Sequence, residues 1–169
     1  LSSIHSLLQS FLSNPNIEIV LSGTTSTGQR IAEQKYSHDV LACGPFPLDW
    51  FPFSSLTWSR IKPDLALCVD SELWPEHMYQ AKRNGVPFSI INARLSNRSY
   101  NRLRRLGIFQ NLLIPENLQI LASSEKQFDR WKNIGVDSNN ILSTGNLKVD
   151  ISPLNPPSLT QKNDRKKEL

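Results

Sequence analysis

Hydrophobic residues fall into short runs that alternate with stretches of helical periodicity. Apolar runs rich in β-branched residues predict strands at residues 17–22, 65–69, 88–91, 118–122 and 141–144. Apolar residues at helical spacing predict helices at residues 3–12, 27–34, 51–61, 73–84 and 124–134. Strands with near-continuous apolar character are typical of a parallel sheet that is covered on both faces. The alternation therefore predicts an α/β layered domain with right-handed crossovers.

Length and composition limit the class of protein. The chain has 169 residues and a formal net charge of +4, which suits one domain with its own core. It has no apolar run long enough to span a membrane, and its N-terminus lacks the features of a signal peptide. Cys43 and Cys68 are too few for a disulfide scaffold, so we expect buried, reduced thiols and a cytosolic compartment.

Polar segments follow each predicted strand. In parallel sheets ligands bind at the carboxyl ends of the strands, so these segments are where a site is expected. They are residues 22–28, 70–75, 92–96, 123–125 and 144–150.

Two of these segments have residue types suited to binding sugars or phosphates. Residues 22–28, SGTTSTG, offer hydroxyls and backbone N–H groups before a helix, although no Walker lysine follows. The alternative is a turn in which Thr27 merely caps that helix. Asp70 and Glu72 could hold sugar hydroxyls or act as a base. Alternatively, they cap a helix and complement its dipole, with Trp74 in the core.

Five arginines and no acid lie between Arg94 and Arg105. Arg98, Arg102 and Arg105 have helical spacing, so they would share one face and could meet a phosphorylated ligand, RNA or an anionic membrane. The alternative is a solvated helix face.

Several aromatic residues lie in one short stretch near this basic segment. They could lie at a lipid interface, and the alternative is that they pack in the core. They are Trp50, Phe51, Phe53 and Trp58. His5, His38 and His77 are scattered without the spacing of metal ligands, and no nucleophile elbow occurs.

The ordered segments TTSTG, SELWP, INARLS, SSE and TGNLK resemble the N-terminal domain of the Kdo transferases. These enzymes transfer 3-deoxy-D-manno-octulosonic acid (Kdo) from CMP-Kdo to a lipid A precursor. The resemblance implies the N-terminal half of a GT-B glycosyltransferase, a Rossmann-like parallel sheet with helices on both faces. Residues 1–150 would form this acceptor domain, and residues 151–169 a linker towards a C-terminal donor domain.

The resemblance also implies site residues. The glutamate of the family's Ser-x-Gly-Glu motif is the candidate catalytic base, and we expect it upstream of Leu1 together with the first strand. The chain alone is therefore expected to be inactive, and we expect neither a metal nor a cofactor. Residues implied in acceptor binding are Thr25, Ser26, Thr27, Glu72, Asn92, Arg94, Ser96, Ser124, Glu125, Asn146 and Lys148.

Partners and location follow from the same resemblance. We expect a lipid A precursor as acceptor, CMP-Kdo bound through the C-terminal domain, and no nucleic acid. Peripheral contact with the anionic inner membrane, at its cytoplasmic face, would suit lipopolysaccharide biosynthesis. The alternatives are another GT-B nucleotide-sugar transferase, or a basic module that binds anions or RNA.

Overall fold

Helices and strands alternate throughout the computed structural model, which describes residues 4–70, 73–105 and 118–146. The helices are α1 (His5–Leu12), α2 (Ser26–Tyr36), α3 (Phe53–Ile61), α4 (Pro75–Asn84), α5 (Asn97–Arg105) and α6 (Glu125–Asn133). The strands are β1 (Val20–Gly23), β2 (Ala42–Pro45), β3 (Ala66–Val69), β4 (Phe88–Ala93), β5 (Leu118–Ala122) and β6 (Ile141–Ser143).

The strands form two parallel sheets rather than one. β1 pairs with β2, and the other four pair in the order β3-β4-β5-β6. Helices flank both sheets, so the predicted α/β, Rossmann-like fold is confirmed. The carboxyl ends of β3 to β6 lie at the same edge of the larger sheet, whereas the segment after β1 leaves the smaller sheet.

The main core is built around β4. All six of its residues are buried, and β5 and β6 supply the aligned Ile120 and Ile141. α6 covers this layer with the fully buried Trp131, and α4 covers it with Met78. The two-stranded sheet has a smaller core, in which Leu8 of α1 packs against Tyr36 and Val40.

Three predictions about the strands were wrong in detail. β2 was not predicted, because Gly44 and Pro45 are poor strand formers, and β1 begins at Val20 instead of residue 17. Full burial on both faces holds for β4 alone among the described strands; Leu67 of β3 remains 39% exposed. Cys43 and Cys68 are free thiols as predicted, but they are only partly buried.

Helix ends follow local chemistry. Pro75 opens α4, where its missing N–H costs no hydrogen bond, and Gly85 ends the helix with φ +68°. The predicted stop at Gly85 is therefore confirmed. Gly135, with φ +96°, follows the end of α6 in the same way.

The loop after β2 links the two sheets. Phe46 donates its backbone N–H to the carbonyl oxygen of Gly23 in β1 (2.9 Å). Its ring packs against Trp74 and His77 at the start of α4, with centroids 4.6 and 4.9 Å away. Asp49 from the same loop accepts the His77 backbone N–H. One loop thus joins the end of β1 to the helix that follows β3.

Substitutions on the two faces of the four-stranded sheet should differ sharply in cost. Ile120→Ala removes a side chain that is 0% exposed, and it should lower the free energy of unfolding by about 2–5 kcal/mol. Leu142→Ala, at a position 61% exposed, should change it by less than about 0.5 kcal/mol. Urea unfolding measures both, and equal losses would contradict this core assignment.

Candidate functional site

Four side chains meet where three strands of the larger sheet end, and we call them the strand-end cluster: Asp70, Asn92, Arg94 and Asn146. Asn92, at 1% exposure, donates its amide N–H to the Asp70 carboxylate at 2.6 Å. Arg94 donates to the side-chain oxygen of Asn92 at 3.4 Å and to that of Asn146. The expected site residues Asn92, Arg94 and Asn146 are therefore brought together, although Arg94 and Asn146 lie 52 positions apart.

The backbone at this edge adopts unusual conformations. Asp70 and Asn92 have φ angles of +66° and +52°, a region that Asn and Asp tolerate better than other residues with a Cβ. The Asp70 N–H still bonds Ile91, and its carbonyl accepts from the Arg94 N–H at 3.4 Å. Positive φ follows the end of β3 at Asp70 and coincides at Asn92 with an irregularity in the pairing of β4 with β5, while these bonds hold the two segments together. Such conformations concentrate at functional sites.

Arg94 provides the positive charge of the cluster. Amide oxygens hold its guanidinium, and within the described part of the chain no carboxylate is hydrogen-bonded to it. Its Nε is buried and has no hydrogen-bond partner there. The charge of Arg94 is thus positioned without being neutralised by a direct ion pair, an arrangement that favours an anionic ligand.

α6 fixes the segment that carries Arg94. Gln127 accepts the Leu95 backbone N–H at 2.7 Å, and Arg130 donates to the Leu95 carbonyl oxygen and to Asn97. Ser96 caps α5, since its Oγ accepts the Ser99 N–H at 3.1 Å. Ser96 therefore has a structural task, and its predicted part in acceptor binding stays a prediction.

The hydroxyl loop, residues 22–28, lies at the end of β1. Thr25, not Thr27, caps α2: its Oγ1 accepts the Gly28 N–H at 3.1 Å. A Cβ at Gly28 would lie 2.9 Å from that oxygen, so the cap needs glycine there. Ser26 and Thr27 lie exposed in the first turn of α2, where hydroxyls and helix N–H groups suit an oxygen-rich ligand.

The other predicted residues lie apart from the cluster or outside the described residues. Ser124 and Glu125 are exposed at the start of α6, and the Ser124 side chain makes no capping hydrogen bond. Glu72 and Lys148 lie outside the described residues. The parts of these four residues in acceptor binding stay predictions.

The basic segment forms α5, as its spacing predicted. Arg98, Arg102 and Arg105 are exposed and, with Asn101, line a groove of about 610 Å³, which we call the arginine groove. Leu103 points the other way into the core. Ser96, which caps α5, lies two residues after Arg94, so the helix that lines the groove follows closely after Arg94 along the chain.

The aromatic stretch has one buried member and three exposed ones. Trp58 is buried, and its indole N–H donates to Nδ1 of His77 at 3.1 Å. Trp50, Phe51 and Phe53 are exposed, Trp50 by 72%. Phe53 also lines an apolar groove of about 340 Å³ with Pro47, Leu48, Leu56, Thr57, Arg60 and Ile61. None of the helices in residues 4–70, 73–105 and 118–146 has the length and apolar character needed to cross a bilayer.

Other reactive groups lie in structural settings. Because His77 Nδ1 accepts from Trp58, its proton is on Nε2, which bonds the Pro47 carbonyl oxygen at 3.2 Å. Burial raises the pKa of the Cys43 thiol, and the charge of Glu33 raises it further, so this thiol stays protonated at neutral pH. Within the described residues no three His, Cys, Asp or Glu side chains are grouped as metal ligands would be.

Sequence reasoning left two contributors, Gln127 and Arg130, out of the predicted site. Asp70 was predicted as a carboxylate that could hold sugar hydroxyls or act as a base, but its bond to Asn92 crosses between strands and has no sequence signal. Gln127 and Arg130 read as ordinary polar positions of an amphipathic helix. Their bonds to Leu95 and Asn97 depend on how α6 packs, which a single sequence does not reveal.

The strained position at Asn92 gives a test of this geometry. Asn92→Gly keeps the positive φ at little steric cost, whereas Asn92→Ala does not. Both lose the bond to Asp70, so Asn92→Ala should be the less stable by about 1–2 kcal/mol, measured by urea unfolding. At Ser89, an ordinary strand position, the Ala variant should be the more stable of the two. The same order at both positions would contradict the strain.

Comparisons with known proteins agree on one family. Residues 1–151 match the family described as 3-deoxy-D-manno-octulosonic-acid transferase (kdotransferase). A protein of that name from Haemophilus influenzae is 28% identical over 139 residues, which cover 82% of this chain and 32% of that protein. One from Rickettsia bellii is 24% identical over 138 residues, covering 79% and 31%.

A bifunctional glycosyltransferase/methyltransferase from Fusobacterium nucleatum is 28% identical over 147 residues, covering 86% of this chain and 23% of that protein. The chain thus spans about a third or less of the length of these curated relatives. No solved structure gives a significant match. The match over residues 1–151 places the chain in the Kdo transferase family of glycosyltransferases.

Proposed function

We propose that this chain is the acceptor-binding part of an enzyme that transfers Kdo from CMP-Kdo to a lipid A precursor in lipopolysaccharide biosynthesis. The observation that carries the proposal is Arg94, a guanidinium held by Asn92 and Asn146 without a direct carboxylate partner among the described residues. A bisphosphorylated acceptor offers the anion that this arrangement favours, and its sugar hydroxyls suit the exposed Ser26 and Thr27.

In this reaction the acceptor-binding domain would position the hydroxyl group of the acceptor. The acceptor oxygen would attack the anomeric carbon of Kdo as the bond to CMP breaks, with inversion, and the hydroxyl proton would pass to a carboxylate. We propose that this carboxylate belongs to the Ser-x-Gly-Glu motif expected upstream of Leu1, and that a C-terminal domain binds CMP-Kdo. The chain by itself would then bind acceptor without transferring sugar. No metal or redox cofactor takes part in this scheme.

Contact with the membrane surface would bring the acceptor within reach. The arginine groove offers three exposed guanidinium groups to anionic headgroups, and the exposed Trp50, Phe51 and Phe53 suit the interfacial region. Trp58 takes no part, because it is buried. We place the site at the cytoplasmic face of the inner membrane, where the chain would bind peripherally.

Binding of a bisphosphorylated lipid A precursor in detergent micelles tests the role of Arg94. Isothermal titration should give saturable binding to the chain, and Arg94→Ala should weaken it at least about tenfold through loss of a charge-assisted contact. Arg83→Ala is the matched control, because Arg83 is exposed in the last turn of α4, away from the strand-end cluster.

Other outcomes separate the rival functions. Equal loss in Arg94→Ala and Arg83→Ala would remove Arg94 from the site. Salt-sensitive binding of a structured RNA, with no lipid preference, would favour a basic nucleic-acid module instead. Kdo transfer by the purified chain would refute its proposed dependence on further segments, and transfer of a different sugar by the complete enzyme would indicate another GT-B transferase.

Vesicle flotation tests the membrane contact. The double variant Arg98→Gln/Arg102→Gln should bind anionic phosphatidylglycerol vesicles about thirtyfold more weakly, because each surface charge contributes about 1 kcal/mol. Lys82→Gln/Arg83→Gln removes the same charge from the last turn of α4 and should cost less. Equal losses would mean that overall charge, and not the arginine groove, drives vesicle binding.

A further inference from the structure

His77 joins three elements of the chain. It lies in the first turn of α4 and is 6% exposed. Its backbone N–H donates to the Asp49 carboxylate at 2.9 Å, and its Nε2 donates to the Pro47 carbonyl oxygen at 3.2 Å. Its Nδ1 accepts the indole N–H of Trp58 in α3 at 3.1 Å. We call residues 46–52, which connect β2 to α3, the β2–α3 loop.

The ring of His77 uses both of its nitrogens for these contacts. An acceptor at Nδ1 and a donor at Nε2 describe one neutral tautomer of imidazole, which bonds in two directions at once. Phe46 packs against the same ring, with centroids 4.9 Å apart. An aliphatic side chain of similar size would fill this space and make neither ring hydrogen bond. The two bonds are therefore what His77 adds to simple packing.

α3 has a further tie to α4 that does not involve His77. Ser54, at 0% exposure, donates its hydroxyl to Glu76 Oε1 at 2.9 Å, and Gln80 donates to the same oxygen. α3 is thus held at Ser54 and again at Trp58, one helical turn later. Loss of the ring bonds of His77 would leave α3 in place and would release mainly the Pro47 side.

The β2–α3 loop and α3 form the two walls of the apolar groove. The loop supplies Pro47 and Leu48, and α3 supplies residues spaced as one helix face: Phe53, Leu56, Thr57, Arg60 and Ile61. Since His77 bonds Pro47 on one wall and Trp58 on the helix of the other, its ring sets the position of the loop relative to α3.

Exposed apolar side chains flank the loop residue that His77 holds. Leu48 and Trp50 lie on either side of Asp49 in sequence and are 64% and 72% exposed. The Trp50 N–H bonds the Leu48 carbonyl oxygen at 2.8 Å, so the two residues are fixed together. Exposed apolar groups that lie together mark an interaction surface. Arg60, exposed on the α3 wall, adds a positive charge that suits anionic lipid.

We propose that His77 is a positioning residue, which holds the β2–α3 loop against α4 and so directs Leu48 and Trp50 towards the hydrocarbon boundary of an anionic membrane. The proposal rests on the membrane contact proposed above and adds the group that fixes its surface. Side chains that are already in place lose less conformational entropy on binding than those of a mobile loop. Without the ring bonds of His77, ordering of the loop would weaken membrane binding.

Two variants of similar shape test whether hydrogen bonds hold the loop. His77→Gln keeps an N–H donor within reach of Pro47, whereas His77→Met has none. NMR order parameters of the Leu48 and Trp50 amides should fall from about 0.85 to below about 0.6 in His77→Met and stay high in His77→Gln. Equal order in the two variants would overturn the proposal.

Further variants guard this measurement against general loss of stability. Tyr79→Phe removes a hydroxyl from an exposed ring on the same helix and should leave the loop unchanged. Trp58→Phe keeps His77 and removes only one donor, so it should loosen the Leu48 and Trp50 amides even if His77→Met folds poorly. A loop as ordered in Trp58→Phe as in the unmodified chain would contradict the role of the ring.

Vesicle flotation with phosphatidylglycerol tests the consequence for membrane binding. His77→Met and Trp50→Ser should each weaken binding about tenfold. If His77 acts through the loop, the double variant should lose little more than Trp50→Ser alone, whereas His77→Met and Arg98→Gln, on separate elements, should multiply their losses.

The outcomes separate this proposal from the membrane contact on which it rests. Losses that multiply in both double variants would show that His77 supports only general stability, and would overturn this proposal alone. Failure of the unmodified chain to bind vesicles would overturn the membrane contact and this proposal together.

Discussion

Burial of β4 on both faces is the constraint on which the rest of the larger sheet depends. Its inward side chains are the centre of the core, and its carboxyl end carries Asn92 and Arg94 directly into the strand-end cluster. The cluster needs no rigid loop of its own, because the strand that positions it is the most deeply packed element in the described chain. The positions of the side chains in the cluster are therefore fixed by the packing of the core beneath them.

The sequence predicted the parts of the fold that local chemistry decides. Apolar runs located β3 to β6, Gly85 and Gly135 marked helix ends, and the arginine spacing placed three guanidinium groups on one face. The sequence did not predict features that depend on contacts between elements. β2 contains Gly44 and Pro45, so only its pairing with β1 makes it a strand. The bond between Asp70 and Asn92 and the hydrogen bond of Gln127 in α6 to Leu95 both depend on tertiary contacts.

The charged groups of the cluster are connected by a chain of hydrogen bonds through an amide. The Asp70 carboxylate accepts from the amide of Asn92, and the oxygen of that amide accepts in turn from Arg94. The Asn92 amide thus lies between the Asp70 carboxylate and the Arg94 guanidinium, which do not form a direct ion pair. An ion pair would have satisfied Arg94 with a charge from the protein itself. The hydrogen bond to the Asn92 amide holds the guanidinium in place without neutralising its charge, which can then interact with an anionic ligand.

The link through Phe46 has a consequence for how the molecule opens. Among the described residues the smaller sheet has three buried core residues, against fifteen around β4, so the two parts should open as separate cooperative units of unequal stability. Phe46 contacts both parts, since its N–H bonds to β1 and its ring packs against Trp74. A ligand that touched both the hydroxyl loop and Arg94 would connect the units a second time. Part of its binding free energy would then appear as slower local unfolding of the weaker unit, far from the atoms that it contacts.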